Sequence, residues 1–150
     1  MMELKFRAWH KPNKIMLDVI AINFSLMQIT ADIENRKIYP ELDHWWKETD
    51  IPFSEIVLMQ STGLKDKSGK EIYEGDIVRW KDLESFDDFP IDEVLKVEYS
   101  DEFMKWITCN KNDLQDDLYD FTDNRDLEVI GNIYENPELV EEQTIIKEVE

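Results

Sequence analysis

Apolar and polar residues alternate with a period of two along much of this chain. At the start, Leu4, Phe6 and Ala8 alternate with Lys5, Arg7 and Trp9, the pattern of a strand with one face buried. HKPNK (residues 10–14) then supplies Pro and Asn for a turn, and IMLDVI (15–20) resumes a β-prone run. The pattern predicts that residues 22–29 continue this run and that ADIENR (31–36) turns the chain. Lys37, Ile38 and Tyr39 form a brief β-prone piece stopped by Pro40, and residues 41–53 read as a polar connection.

The second half repeats the same grammar. Residues 56–60 are mostly apolar, DKSG (66–69) is a tight-turn signal, and Gly75-Asp76 is a second break before the strand of Ile77, Val78 and Trp80. Residues 82–92 read as an acidic loop. Residues 94–99 and 103–109 read as strands joined at Ser100-Asp101-Glu102, and 127–134 as a strand with a bulge at Gly131. From Pro137 the periodicity turns helical, with Asn136 as the expected N-cap. The expected fold is mainly β, an antiparallel barrel-like or sandwich-like sheet with a turn-rich centre, short helices and a C-terminal helix over 137–150. At 150 residues it fits a single domain.

Charge changes the picture more than composition does. The chain carries a net −18, and residues 81–150 hold 22 acidic residues against six basic ones. A field of that sign opposes binding to nucleic acid or to an anionic membrane and favours a cationic protein partner. Seventeen aromatics in a strand-rich chain predict apolar edges that self-association would cover. The lone Cys109 has no intramolecular disulfide partner, the N-terminus has no apolar signal-peptide core, and no apolar run reaches membrane-spanning length. A cytoplasmic location is expected.

Candidate chemistry concentrates in LMQSTGLKDKSGKEIYEGDIVRW, residues 58–80. It offers hydroxyls at Ser61, Thr62 and Ser68, and lysines at 65, 67 and 70. Its carboxylates are Asp66, Glu71, Glu74 and Asp76. Gly63 and Gly69 are one residue too far apart for a phosphate-binding P-loop, and Glu71 stands where that motif needs a hydroxyl. No histidine lies near in sequence to activate a serine. The favoured reading is scaffold; the alternative is a small-ligand or nucleotide-handling enzyme using residues 61–76. His10, His44 and Cys109 lack zinc-ligand spacing, so neither metal nor cofactor is expected. Trp45-Trp46 reads as a packed pair before a recognition pair. The run 112–126 lacks the glycine and alternating ligands of a calcium loop. If that run is helical, Asp113, Asp116, Asp117 and Asp120 share one face beside Leu114, Leu118 and Phe121. Those four carboxylates are the candidate partner-binding residues, as a solvated face or as a mimic of DNA phosphates.

Three blocks carry a resemblance. KFRAW (5–9), LMQSTGLKDKSGKEIYEGDIV (58–78) and LEVIGNIYENPEL (127–139) resemble, in order, the shared blocks of the YopX-like family of small phage and prophage proteins. The departures are His10, where an acidic residue is more usual, and Ser61, where an aromatic is. The resemblance implies a β-rich fold over nearly the whole chain, with residues 81–126 as variable ground. It brings no catalytic or cofactor-binding residue with it. It is the charge asymmetry that leads to the expectation of a non-catalytic phage accessory protein binding a host or phage protein through its acidic C-terminal half.

Overall fold

A computed structural model describes residues 3–33, 47–82, 91–122 and 126–140. Among the described residues there are eleven strands: β1 (Phe6–His10), β2 (Ile15–Asn23), β3 (Gln28–Asp32), β4 (Glu48–Pro52), β5 (Ile56–Lys65), β6 (Glu71–Tyr73), β7 (Asp76–Asp82), β8 (Ile91–Ser100), β9 (Lys105–Cys109), β10 (Gln115–Asp117) and β11 (Asp126–Asn132). A short helix, α1 (Leu118–Thr122), precedes β11, and a 3-10 turn covers Phe53–Glu55. All pairings are antiparallel, in the orders β4-β3-β2-β1-β5-β6 and β10-β9-β8-β7-β11. The mainly β expectation holds, and two open sheets fit its sandwich-like form rather than a closed barrel.

The chain divides into two compact units, residues 3–60 and residues 61–150 with the first two residues. In the first, Ala8, Leu17, Ile29, Ala31 and Ile51 are fully or almost fully buried, and Ile33 and Ile56 close the cluster. The alternation read at the N-terminus holds at Ala8, and His10 shares its inward parity. Residues 11–14 turn as expected, with Lys14 in the left-handed region at φ 53°. The run at 22–29 carries β2 only as far as Asn23. Asn23 Oδ1 accepts the Leu26 N–H at 3.0 Å, Met27 takes φ 51°, and the chain reverses into β3. A side-chain acceptor at the strand end favours a turn there even when the flanking residues are apolar. Ala31 and Asp32, expected in a turn, instead pair with Thr49 and Glu48 inside a strand, where Ala31 is fully buried in the core.

In the second unit Ile72, Val78, Leu95, Val97, Leu118 and Leu127 form the core, with Leu64, Trp80, Trp106 and Val129 packed against it. Strands β7 to β10 run as a meander, and β11 returns to pair with β7. The bulge anticipated at Gly131 is present as a register shift between Val129 and Gly131. A Cβ at Gly131 would lie 2.4 Å from Asn136 Oδ1, so the glycine makes room for a side chain. That side chain accepts the Asn132 N–H at 3.3 Å. The expected N-cap thus turns back toward β11, while its backbone carbonyl receives the Leu139 N–H at 3.2 Å. Residues 138–140 begin a helix; the rest of the expected C-terminal helix, the β-prone piece at 37–39, the centre of the acidic loop, His44 and Trp45-Trp46 lie outside the described residues.

Candidate functional site

The glycine-spaced stretch folds into a tightly bonded corner of β5, β6 and β7. Gly63 (φ 78°) sits in the β5 irregularity between Ser61 and Lys65, and Gly69 (φ 86°) ends the turn that joins β5 to β6. Those angles are costly for a residue with a Cβ and nearly free for glycine. Thr62 Oγ1 donates to the Ile72 carbonyl at 2.7 Å and accepts the Leu64 N–H at 3.1 Å. Ser61 Oγ accepts the Gly63 N–H at 3.2 Å. Asp76, 1% exposed, accepts the Tyr73 N–H at 2.8 Å and closes the β6–β7 turn.

Asp66 is the centre of this corner. Its Oδ1 accepts the Ser68 N–H and the Lys70 N–H, both at 2.9 Å, and the Ser68 hydroxyl at 2.7 Å. Its Oδ2 reaches across to the Val129 N–H of β11 at 3.0 Å. Burial alone would raise this carboxyl, but the bonds from Val129, Ser68 and Lys70 outweigh it and hold the group below the usual aspartate range. Beside it the Lys67 N–H donates to the Leu127 carbonyl, the Gly75 N–H to Val97, and the Ile133 N–H to the Gly75 carbonyl, each at 2.9 Å. Thr62, Asp66, Ser68 and Asp76 thus spend their polar atoms on backbone and neighbouring turn groups.

Strand pairing in the first unit and these bonds in the second link the sequence blocks that carried the resemblance. Within the first unit, Arg7 and Ala8 of β1 stand opposite Met59 and Leu58 of β5. Within the second, the 58–78 block is bonded to the 127–139 block through Asp66–Val129, Lys67–Leu127 and Gly75–Ile133.

The four candidate partner-binding aspartates do not share a helix face. Asn110 Oδ1 accepts the Asn112 and Leu114 N–H groups at 2.9 and 3.0 Å, making residues 110–114 a turn with Asp113 at φ 57°. Asp116 and Asp117 are consecutive in β10, opposite Thr108 and Ile107 of β9, and side chains of adjacent strand residues point to opposite faces. Asp120 lies in α1. Local bonding by Asn and Asp, together with pairing to β9, overrides the helical spacing. Asp113, Asp116 and Asp120 are nevertheless all exposed. Asp117 is half-buried and engaged: Lys105 Nζ stands 2.9 Å from its Oδ2, and its Oδ1 accepts the Tyr119 N–H at 3.0 Å at the start of α1. The bond from Lys105 holds its carboxyl below the usual range against a small opposing effect of burial.

Cys109 lies at the end of β9, 7% exposed, with its thiol 3.5 Å from Glu98 Oε2; Glu98 Oε1 in turn meets Lys96 Nζ at 2.6 Å. Burial first, then the Glu98 charge, push the thiol up to about 11. The thiolate is the nucleophile. At pH 8 the folded protein is therefore expected to react with a disulfide reagent at least about tenfold more slowly than the urea-unfolded chain, whose thiol has the ordinary value of about 8.5. Stopped-flow absorbance measures both rates, and equal rates would refute a suppressed thiol. His10, 1% exposed, stands 3.1 Å from Glu55 Oε2 through its Nε2. Among the described residues no three His, Cys, Asp or Glu side chains are placed to hold a metal ion, and no helix is long and apolar enough to cross a membrane.

Comparison with known proteins gives the fold a lineage. No curated protein matches the chain. Among solved structures it is similar to protein EF1440 from Enterococcus faecalis, with 28% identity, 93% of this chain and 99% of that chain covered, and a TM-score of 0.59. The model of the family described as YopX protein matches residues 5–141, which takes in the β1 block, the glycine-spaced corner and the β11 block alike. The chain belongs to the YopX family.

Proposed function

We propose that this is a non-catalytic accessory protein of phage or prophage origin, acting in the cytoplasm of a bacterial host, whose acidic second half docks on a basic surface of a host or phage protein. The observation that carries the reading is the lopsided charge. Residues 81–150 contribute 22 acidic and six basic side chains to the net −18, and Asp113, Asp116 and Asp120 stand exposed around β10. Carboxylates concentrated on one part of a chain speed encounter with a cationic partner and repel nucleic acid. The commitment of Thr62, Asp66, Ser68 and Asp76 to backbone and turn bonds supports a non-catalytic reading of the central corner.

The test is affinity purification of the tagged protein from a lysogenic host, comparing wild type with the triple variant Asp113→Asn, Asp116→Asn, Asp120→Asn. Asp117 is left in place because it pairs with Lys105 and caps α1. The expected result is a partner retained at low salt, released at high salt and lost in the triple variant, since exposed charges are screened over about 10 Å at 0.1 M ionic strength. Competition by duplex DNA for the same partner would identify the carboxylates as phosphate mimics. A partner recovered equally with wild type and variant refutes the acidic-surface reading.

A further inference from the structure

Strand β11 stands last in its sheet, with β7 on one side and no further strand among the described residues on the other. A terminal strand presents outward N–H and C=O groups to any chain that can pair with it. Here three such groups are already taken. The Lys67 N–H donates to the Leu127 carbonyl at 2.9 Å, and Asp66 Oδ2 accepts the Val129 N–H at 3.0 Å. A carbonyl and an N–H that flank one residue are the pair a neighbouring strand engages in a ladder. The Lys67 backbone supplies the donor of that pair, and the Asp66 carboxylate takes the part of the carbonyl. Between the two bonds, Lys67 Nζ lies 3.8 Å from Glu128 Oε2. The far end of β11 is closed in the same way. The Ile133 N–H points inward to the Gly75 carbonyl, so the preceding Asn132 N–H points outward, where Asn136 Oδ1 accepts it at 3.3 Å. Gly131 leaves the space that this side chain occupies, and the register shift between Val129 and Gly131 breaks the even spacing an added strand needs.

We propose that Asp66 and Asn136 are edge-closing residues, whose side-chain oxygens replace the carbonyls of a missing strand and bar an incoming strand from β11. The other terminal strands need no such device. Strands β6 and β10 are three residues long, and β4 carries Glu48, Asp50 and Pro52, all of which deter pairing. Strand β11 is seven residues long and carries Leu127, Val129 and Ile130. Its edge is the one that would otherwise suit a foreign strand. This role is separate from docking through the carboxylates at 113, 116 and 120.

A fluorescein-labelled peptide of the β7 sequence, DIVRWKD, tests it, because that sequence already pairs with β11 along the opposite edge. Fluorescence anisotropy follows its binding to the full chain at neutral pH. Wild type is expected to bind at least about tenfold more weakly than Asp66→Ala, and severalfold more weakly than Lys67→Pro. Lys67→Pro removes one capping donor at the second position of a turn closed by the Gly69 N–H on the Asp66 carbonyl, at 3.0 Å. Proline favours that position, so this variant supplies the result if Asp66→Ala unfolds. Leu118→Ala weakens the core with both caps in place and should bind no better than wild type. Amide exchange read by NMR locates the peptide: exchange at Val129 speeds up in Asp66→Ala and slows again when peptide is added. Capping variants that gain no binding overturn the inference. So does tight binding by wild type or by Leu118→Ala, or a Val129 amide indifferent to bound peptide.

Discussion

Replacing Asp66 by alanine is expected to destabilise the protein by about 3 kcal/mol, because four hydrogen bonds to one carboxylate disappear together and leave inward-facing N–H groups without an acceptor. The carboxylate is 7% exposed, so water does little to replace it. Asp66→Asn keeps an acceptor oxygen and should lose less. Urea unfolding at neutral pH, read by tryptophan fluorescence, gives the size of the effect. The pH dependence supplies a second check. The folded carboxyl titrates below the ordinary aspartate value, so its stabilisation is complete above about pH 4 and is lost as pH falls through the folded value. Wild type should therefore lose stability faster than Asp66→Ala across that acid window. Parallel acid profiles would mean that the ionisation of Asp66 contributes nothing to stability.

Leu118→Ala should cost about 3 kcal/mol, and Leu114→Ala less than about 0.5 kcal/mol. Both leucines sit in the same acidic stretch, four residues apart. Leu118 is fully buried among Ile72, Val78, Leu95, Val97 and Leu127, whereas Leu114 is 62% exposed in its turn. Removing the first leaves a cavity at the point where α1 meets the core; removing the second takes away surface that water already covers. The contrast also discriminates the observed turn–strand–helix path from a continuous helix, in which both leucines would face the core and both substitutions would be costly. Thermal melts of the two variants under one buffer decide it.

That pair shows how far the sequence could be read. Alternation was a good guide wherever one face of a strand is buried, as in β1, where Ala8 and His10 point inward. Glycine breaks were good guides to turns, because a positive φ at Gly69 and Gly75 leaves few other choices of residue. Helical spacing misled at 112–126. There Asn110, Asn112 and Asp113 were turn signals in plain view, but their use depends on β9 being present for residues 115–117 to pair with. Similarly Asn23 was legible as a turn former, yet the apolar residues around it suggested a continuing strand. The role of Asp66 could not be read locally at all. Its turn partners lie two and four residues away, but Val129 is 63 positions downstream, and no spacing rule connects them. The exposed carboxylates at 113, 116 and 120 were identifiable as charge, and their separate placement on turn, strand and helix was not.

The bond from Val129 to Asp66 also sets an order of events for a chain emerging from the ribosome. The β5–β6 turn can form its own bonds as soon as residues 61–73 are free, and the β7 to β10 meander can follow by local pairing. The second carboxylate oxygen of Asp66, the Lys67 N–H and the open edge of β7 all wait for β11. Contacts of such long sequence separation are formed late and slowly. Until residues 126–132 are made, the most intricately bonded part of the protein keeps an unfilled strand position along β7, and an edge of that kind can accept a foreign strand. The arrival of the closing strand therefore moves the sheet edge from β7 to β11 and completes the bonds of the corner at the same time.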